Sequence, residues 1–198
     1  MTVFADTPRW SRHGHVWGHL ISDASLVELH GAADAADLHP RSFDLDHYDW
    51  PAPARDALAA VGVRFVGNRE LTRILIGSGL RIPAARRAEV RRQRTLAAAA
   101  RIGLAAIPDE LIVGMRGHVG PLEMAPGAFR VTCNEGEEPR IEARDSAGEK
   151  AARDLLADLD RRAFARTGAA FIGQVRGHAG RHARGHVNGN GPTPTPAP

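Results

Sequence analysis

The sequence predicts an α/β protein: a small parallel sheet with covering helices, then a C-terminal α+β extension and a disordered tail. Three observations carry this. Strand-like and helix-like patterns alternate three times in residues 1–80. Two strand-like stretches flank Asn134-Glu-Gly136 and precede a capped helical pattern. From Arg176 onward Gly, His and Arg, then Pro-Thr repeats, offer nothing to bury.

The elements follow in order. Val3-Phe-Ala5 is an apolar run ending at Asp6, the first strand, and Pro8 takes the chain out of the ladder. The glycines of Ser11–Gly18 read as a loop. Ser25 and Glu28 form a capping box opening a helix with Leu26, Leu29, Ala33 and Ala36 at helical spacing, stopped before Pro40. Phe43 and Leu45 alternate with polar neighbours, giving a second strand over Ser42–Tyr48, and Asp49-Trp-Pro51 turns into a helix over Ala54–Val61. Val63–Val66 is a third strand, and Asn68 caps a helix with Leu71, Ile74 and Leu75 inward. Ligands of parallel sheets collect at the carboxyl ends of the strands, which places Asp6, His47 and Asp49 on one edge.

These patterns divide the chain into residues 1–80, an α/β domain; 81–120, an Arg-rich helix from Pro83 to about Ile102 and a Gly-punctuated connection; 121–175, a hairpin (Phe129–Cys133 and Arg140–Ala143) with a helix opened by a second capping box, Ser146/Glu149; and 176–198, the tail. Residues 81–116 hold eight arginines against three acids. The Arg81–Arg101 helix, with Arg86, Arg87, Arg91, Arg92 and Arg94 on its polar face, is therefore a nucleic-acid candidate, and a merely solvated face is the alternative. Lys150 is the only lysine.

A chain of 198 residues buries a core without crosslinks. A single cysteine, Cys133, excludes a disulfide framework and a cysteine zinc site, and reads as packed in a strand. No apolar run approaches membrane-spanning length and no signal-peptide pattern opens the chain, so a cytoplasmic protein with no membrane partner is expected. There is no GxGxxG, P-loop, GxSxG or kinase motif.

Chemistry gathers near the N-terminus. His19, His47 and Asp49, with Asp6, have the donor types of a divalent-metal site, three ligands leaving a position for water. His13 and His15 are further imidazoles close by. Asp23 joins His19, His47 and Asp49 as a catalytic candidate, and Arg9, Trp17, Tyr48 and Arg69 are candidates on the substrate side. The acids Asp6, Asp23, Asp44, Asp46, Asp49 and Glu70 form an alternative set for a magnesium-like ion. Against both stands the reading of structural histidines and helix-capping acids. The tail histidines His178, His182 and His186 are incidental on this reading.

Asp6-Thr-Pro-Arg-Trp10, His13-Gly14, Trp17-Gly-His-Leu-Ile-Ser-Asp23, Glu28-Leu-His30, Asp46-His-Tyr-Asp49 and Arg69-Glu70 resemble a bacterial and phage family, domain of unknown function 4031, over roughly the first 80 residues. Gly18 and the Gly31-Ala32 pair depart from its pattern. The resemblance implies a shared site, without assigning an activity. The expected function is a small, metal-dependent hydrolase of a phosphorylated or nucleotide-like substrate. The alternative is a non-catalytic module binding a small ligand or nucleic acid, its His/Asp cluster structural.

Overall fold

The computed structural model describes residues 2–180. Two sheets and five α-helices make a mixed α/β architecture, but the first sheet is not the small parallel sheet the pattern predicts. Its strands are β1 (Val3–Ala5), β2 (Trp10–Arg12), β3 (His15–Ser22), β4 (Tyr48–Pro51) and β5 (Arg64–Phe65). Only β1 and β5 pair parallel. The reason lies in a turn. His13 and Gly14 have φ of 51° and 78°, the left-handed pair of a two-residue hairpin loop, so β2 returns directly along β3 without a helical crossover. The stretch that reads as a Gly-containing loop is this hairpin.

Eight-residue β3 is the spine. β1 and β2 share one of its edges and β4 takes the other, since Leu20 pairs with both Ala5 and Tyr48 and Trp17 with both Trp10 and Pro51. The second predicted strand is displaced: Asp44–His47 is a turn with Leu45 at φ 65°, and the ladder starts at Tyr48. Helices α1 (Leu26–Ala35) and α2 (Arg55–Ala60) cover one face over Ala5, Leu20, Tyr48 and Trp50. Helix α3 (Asn68–Gly77) covers part of the other, Leu71 and Leu75 meeting Phe4 and Ile21. Ser25 caps α1 as its sequence predicts. At α3 the N-cap is Gly67, and the Asn68 side chain is used elsewhere.

The second sheet is antiparallel, in the order β6 (Glu110–Val113), β9 (Gly173–His178), β7 (Ala128–Cys133), β8 (Arg140–Ala143). The long α4 (Ala84–Ile102) and α5 (Ser146–Thr167) share its core, with Leu111, Phe129, Val131, Leu159 and Val175 fully buried. Thus β6 lies inside the stretch read as a connection, and Arg176 to His178 belong to a strand, so no tail begins at residue 176. His178 is buried, its Nδ1 2.6 Å from Asp109 Oδ2 and its Nε2 3.3 Å from Glu123 Oε2, which corrects its reading as an incidental tail histidine. The rest of the tail, with His182 and His186, lies outside the described residues.

Arg41 ties the two sheets. Its guanidinium donates to the carbonyls of Gly114 and Cys133, each at 2.9 Å, and to Asn134 Oδ1 at 3.1 Å. Burial draws its pKa down to about 10. Among the described residues no helix is long and apolar enough to cross a membrane.

Candidate metal centre

Alternation along two strands makes the site. Tyr48 and Trp50 are fully buried on the α1–α2 side, so His47 and Asp49 point to the opposite face. On β3, Leu20 faces the same core, which sends Trp17 and His19 to the face of His47 and Asp49. The β3–β4 register sets His19 directly opposite Asp49. The His19 and His47 rings lie 5.3 Å apart. One ligand atom from each of His19, His47 and Asp49 falls within 4.8 Å of the others. Helix α3 covers this face only over Phe4 and Ile21, and past Asn68 the face opens, leaving the His19 side chain 38% exposed.

Each imidazole is held from behind by its own buried carboxylate. Asp6, just past β1, accepts the His19 backbone N–H at 2.6 Å and takes His19 Nδ1 at 2.9 Å. Asn68 Nδ2 donates to the same carboxylate at 2.7 Å, and Asn68 Oδ1 accepts from Arg9 at 3.0 Å. Asp46, fully buried, takes His47 Nδ1 at 2.6 Å. It also accepts the Ile82 backbone N–H at 2.7 Å and faces Arg87 at 3.3 Å. A carboxylate only accepts, so each Nδ1 carries the hydrogen and each Nε2 is left for a further partner. His47 Nε2 is 3.4 Å from Asp49 Oδ1.

The electrostatics follow. Burial by itself lowers the His47 pKa, but the hydrogen bonds to Asp46 and Asp49 outweigh it and hold it at about 9. Burial by itself raises Asp46, but His47 and the Ile82 N–H outweigh it and hold it at about 2. Gly18 is required here by close approach: a Cβ would lie 2.8 Å from both Asp6 Oδ1 and Trp50 Nε1.

Two cavities flank the cluster. One, of about 420 Å³, has Asp6, His19 and His47 in its wall, with Asn68, Thr72 and Arg81 on the helical side. The other, of about 290 Å³, lies on the Asp49 side between the β2–β3 hairpin and residues 118–121.

The structure brings together His19, His47, Asp49 and Asp6, but through antiparallel register rather than the carboxyl edge of a parallel sheet. Trp17 lines the Asp49-side cavity, and Arg9 stands one residue removed, on Asn68. Three candidates fall elsewhere. Asp23 follows β3 four residues beyond His19, about 13 Å along a strand, and accepts the Thr2 N–H. Tyr48 faces the core, bonded to His30 and Arg116, because it alternates with His47 and Asp49. Arg69 is exposed on α3 and lines neither cavity. His13 and His15 are exposed at the hairpin. The acid-only set is dispersed: Asp6 and Asp46 hold histidines, Asp44 pairs with Arg87 and Arg91, and Glu70 is exposed. On the Arg-rich helix, Arg87, Arg91 and Arg94 point inward to Asp44, Asp46 and Glu110, while Arg86 and Arg92 stay exposed.

Sequence reasoning missed the supporting roles of Asp46, Asn68 and Arg87. The spacing of Arg87, Arg91 and Arg94, one helical stripe, is a signal that finds the inward face.

Residues 3–78 match the model of a family described as a protein of unknown function, DUF4031. The matched stretch contains His19, His47 and Asp49 with Asp6, Asp46 and Asn68, and stops short of Arg87 and of residues 118–121. No curated protein and no solved structure matches the chain.

Proposed function

We propose that His19, His47 and Asp49 bind a divalent metal in a small hydrolase of phosphorylated or nucleotide-like substrates. The observation that carries this is the pair of buried carboxylates behind the two imidazoles. Metal-binding histidines generally donate their second ring N–H to such a group, which fixes the tautomer and the ring orientation. Two imidazoles and one carboxylate suit zinc or manganese. Such an ion supplies a water made acidic enough to act as hydroxide at neutral pH, and neutralises phosphate charge. In the hydrolysis of a phosphate ester, a water oxygen bonds to phosphorus as the ester P–O bond breaks. The alcohol leaves with a proton, and nothing is oxidised or reduced. The protein's part is to hold both rings rigid through Asp6 and Asp46; His47, protonated at neutral pH in the metal-free fold, would give up its Nε2 proton as an ion binds.

A second reading has its own observation. His47 already stands between Asp46 and Asp49, a self-sufficient ion-paired arrangement that needs no metal. Elemental analysis and calorimetric titration of untagged protein with Zn²⁺ and Mn²⁺, followed by assay on an activated phosphodiester, separate the two. One ion per chain, lost in His47→Ala and Asp49→Ala, supports the centre. Absence of uptake by the wild type leaves the structural reading.

A further inference from the structure

The β2–β3 hairpin presents an aromatic surface that the metal chemistry does not use. Trp10 and Trp17 pair across the strands with ring centroids 6.0 Å apart and planes 16° from parallel. The Trp10 ring is 5.7 Å from that of His19. Burying an indole is strongly favourable, so two tryptophans left half-exposed beside a cavity are informative where a core tryptophan is not. The polar atom of Trp17 is already satisfied, Nε1 donating to the Arg12 carbonyl at 2.8 Å, so it asks nothing of a ligand. Arg12 itself is exposed, lines the cavity and has no ion pair among the described residues. Asp49 lines the same cavity and the Trp10 ring adjoins His19, so a ligand lying on the indoles reaches the Asp49 edge of the cluster, while His19 and His47 line the neighbouring cavity.

The far wall comes from outside the matched stretch. His118, Val119 and Pro121 close it, with Arg130 from β7. They are held there by one backbone and one side-chain tie to the 40–42 segment: Gly117 N–H donates to the Pro40 carbonyl at 2.9 Å, and the His118 ring Nδ1 lies 3.1 Å from the Arg41 carbonyl. The result is a half-open chamber of about 290 Å³ bounded by separate segments, with room for one planar group.

We propose that this chamber is a nucleobase subsite, so that the site takes a nucleoside monophosphate, its base on Trp10 and Trp17 and its phosphate at His19, His47 and Asp49. The phosphate end rests on the metal-centre reading, and the base end does not. Stacking on aromatic side chains tolerates any base, because every base has a π-face, and Arg12 adds a cation beside it.

The test is calorimetry on the full chain supplied with Mn²⁺, with adenosine 5′-monophosphate against ribose 5-phosphate, which lacks the base. The nucleotide is expected to bind about tenfold tighter or more, the usual worth of one stacked base. Trp10→Ala removes that advantage and leaves ribose 5-phosphate binding unchanged, while Trp10→Phe keeps most of it. Equal binding of the two probes, no binding of either, or an equal loss for both in Trp10→Ala overturns the subsite. A single-stranded oligonucleotide binding far more tightly than the mononucleotide overturns the one-nucleotide chamber. Failure of the metal reading shows separately, as absence of Zn²⁺ or Mn²⁺ uptake by wild type and Trp10→Ala alike. It leaves the base preference measurable.

Discussion

The protein uses the same ingredients twice, to different ends. On the second sheet His178 stands between Asp109 and Glu123, one imidazole with a carboxylate at each nitrogen. On the first sheet His47 stands likewise between Asp46 and Asp49. The difference is a second imidazole. His19, backed by its own Asp6, comes within 5.3 Å of the His47 ring. A lone histidine between two acids is a staple. Two histidines with separate supports and one shared carboxylate are a set of donors. Convergence of imidazoles, rather than pairing of histidine with acid, is what marks a site.

The largest expected effect separates the two clusters outright. His47→Ala is expected to abolish Zn²⁺ or Mn²⁺ uptake in calorimetry, while His178→Ala leaves it intact. Asp6→Asn and Asp46→Asn, which disturb only the support, are expected to weaken metal binding by about 10–100-fold. Uptake unchanged in both Asn variants breaks the distinction between the clusters.

Next in size is the arginine that backs the first cluster. Arg87→Ala leaves Asp44 and buried Asp46 short of a partner and is expected to cost about 3 kcal/mol in urea unfolding. Arg86→Ala and Arg92→Ala, on the exposed stripe of the same helix, are expected to stay within about 0.5 kcal/mol. Equal costs for all three return α4 to a solvated charged helix.

Acid sharpens the comparison further. Asp46 titrates at about 2 in the folded chain, below its ordinary 3.8, so it contributes stability above pH 4 that is lost as pH falls toward 2. The contribution is about 2 kcal/mol, and Asp46→Asn should flatten that part of the stability profile. His47 has the opposite sign: its pKa of about 9 stabilises the metal-free fold below pH 6.5, and the effect fades as pH rises through 9. Both describe one ion pair and do not add. His178→Ala is expected to cost less than the Asp46 pair, about 1 kcal/mol of stability.

The convergence of His19, His47 and Asp49 was legible because they are chemically distinctive and fall early in the chain. Their support was less so. Asp46 looks like one acid in an acidic run until the turn at Leu45 buries it against Ile82 and Arg87. Asn68 looks like a helix cap, and only the approach of α3 to Asp6 shows otherwise. The parallel sheet failed for a local reason: two residues, His13 and Gly14, decide that β2 turns back. Apolar runs alone cannot register that decision. Tyr48 and Asp23 failed through alternation and strand length, which need the true strand bounds. In the second half, β6 and β9 pair Leu111 with Val175, 64 positions apart, within the same sheet, a contact no local pattern announces.

The chamber wall at His118–Pro121 has one more consequence. It sits on a long loop between β6 and β7 whose glycines at 114, 117 and 127 adopt positive φ. Surface loops accept insertion and deletion far more readily than the ladders they join. The proposed metal donors and the proposed base pocket's far wall thus come from separate stretches of chain. If the proposed subsite holds, lengthening or trimming residues 121–126 is expected to change how large a planar group is admitted while leaving His19, His47 and Asp49 in place.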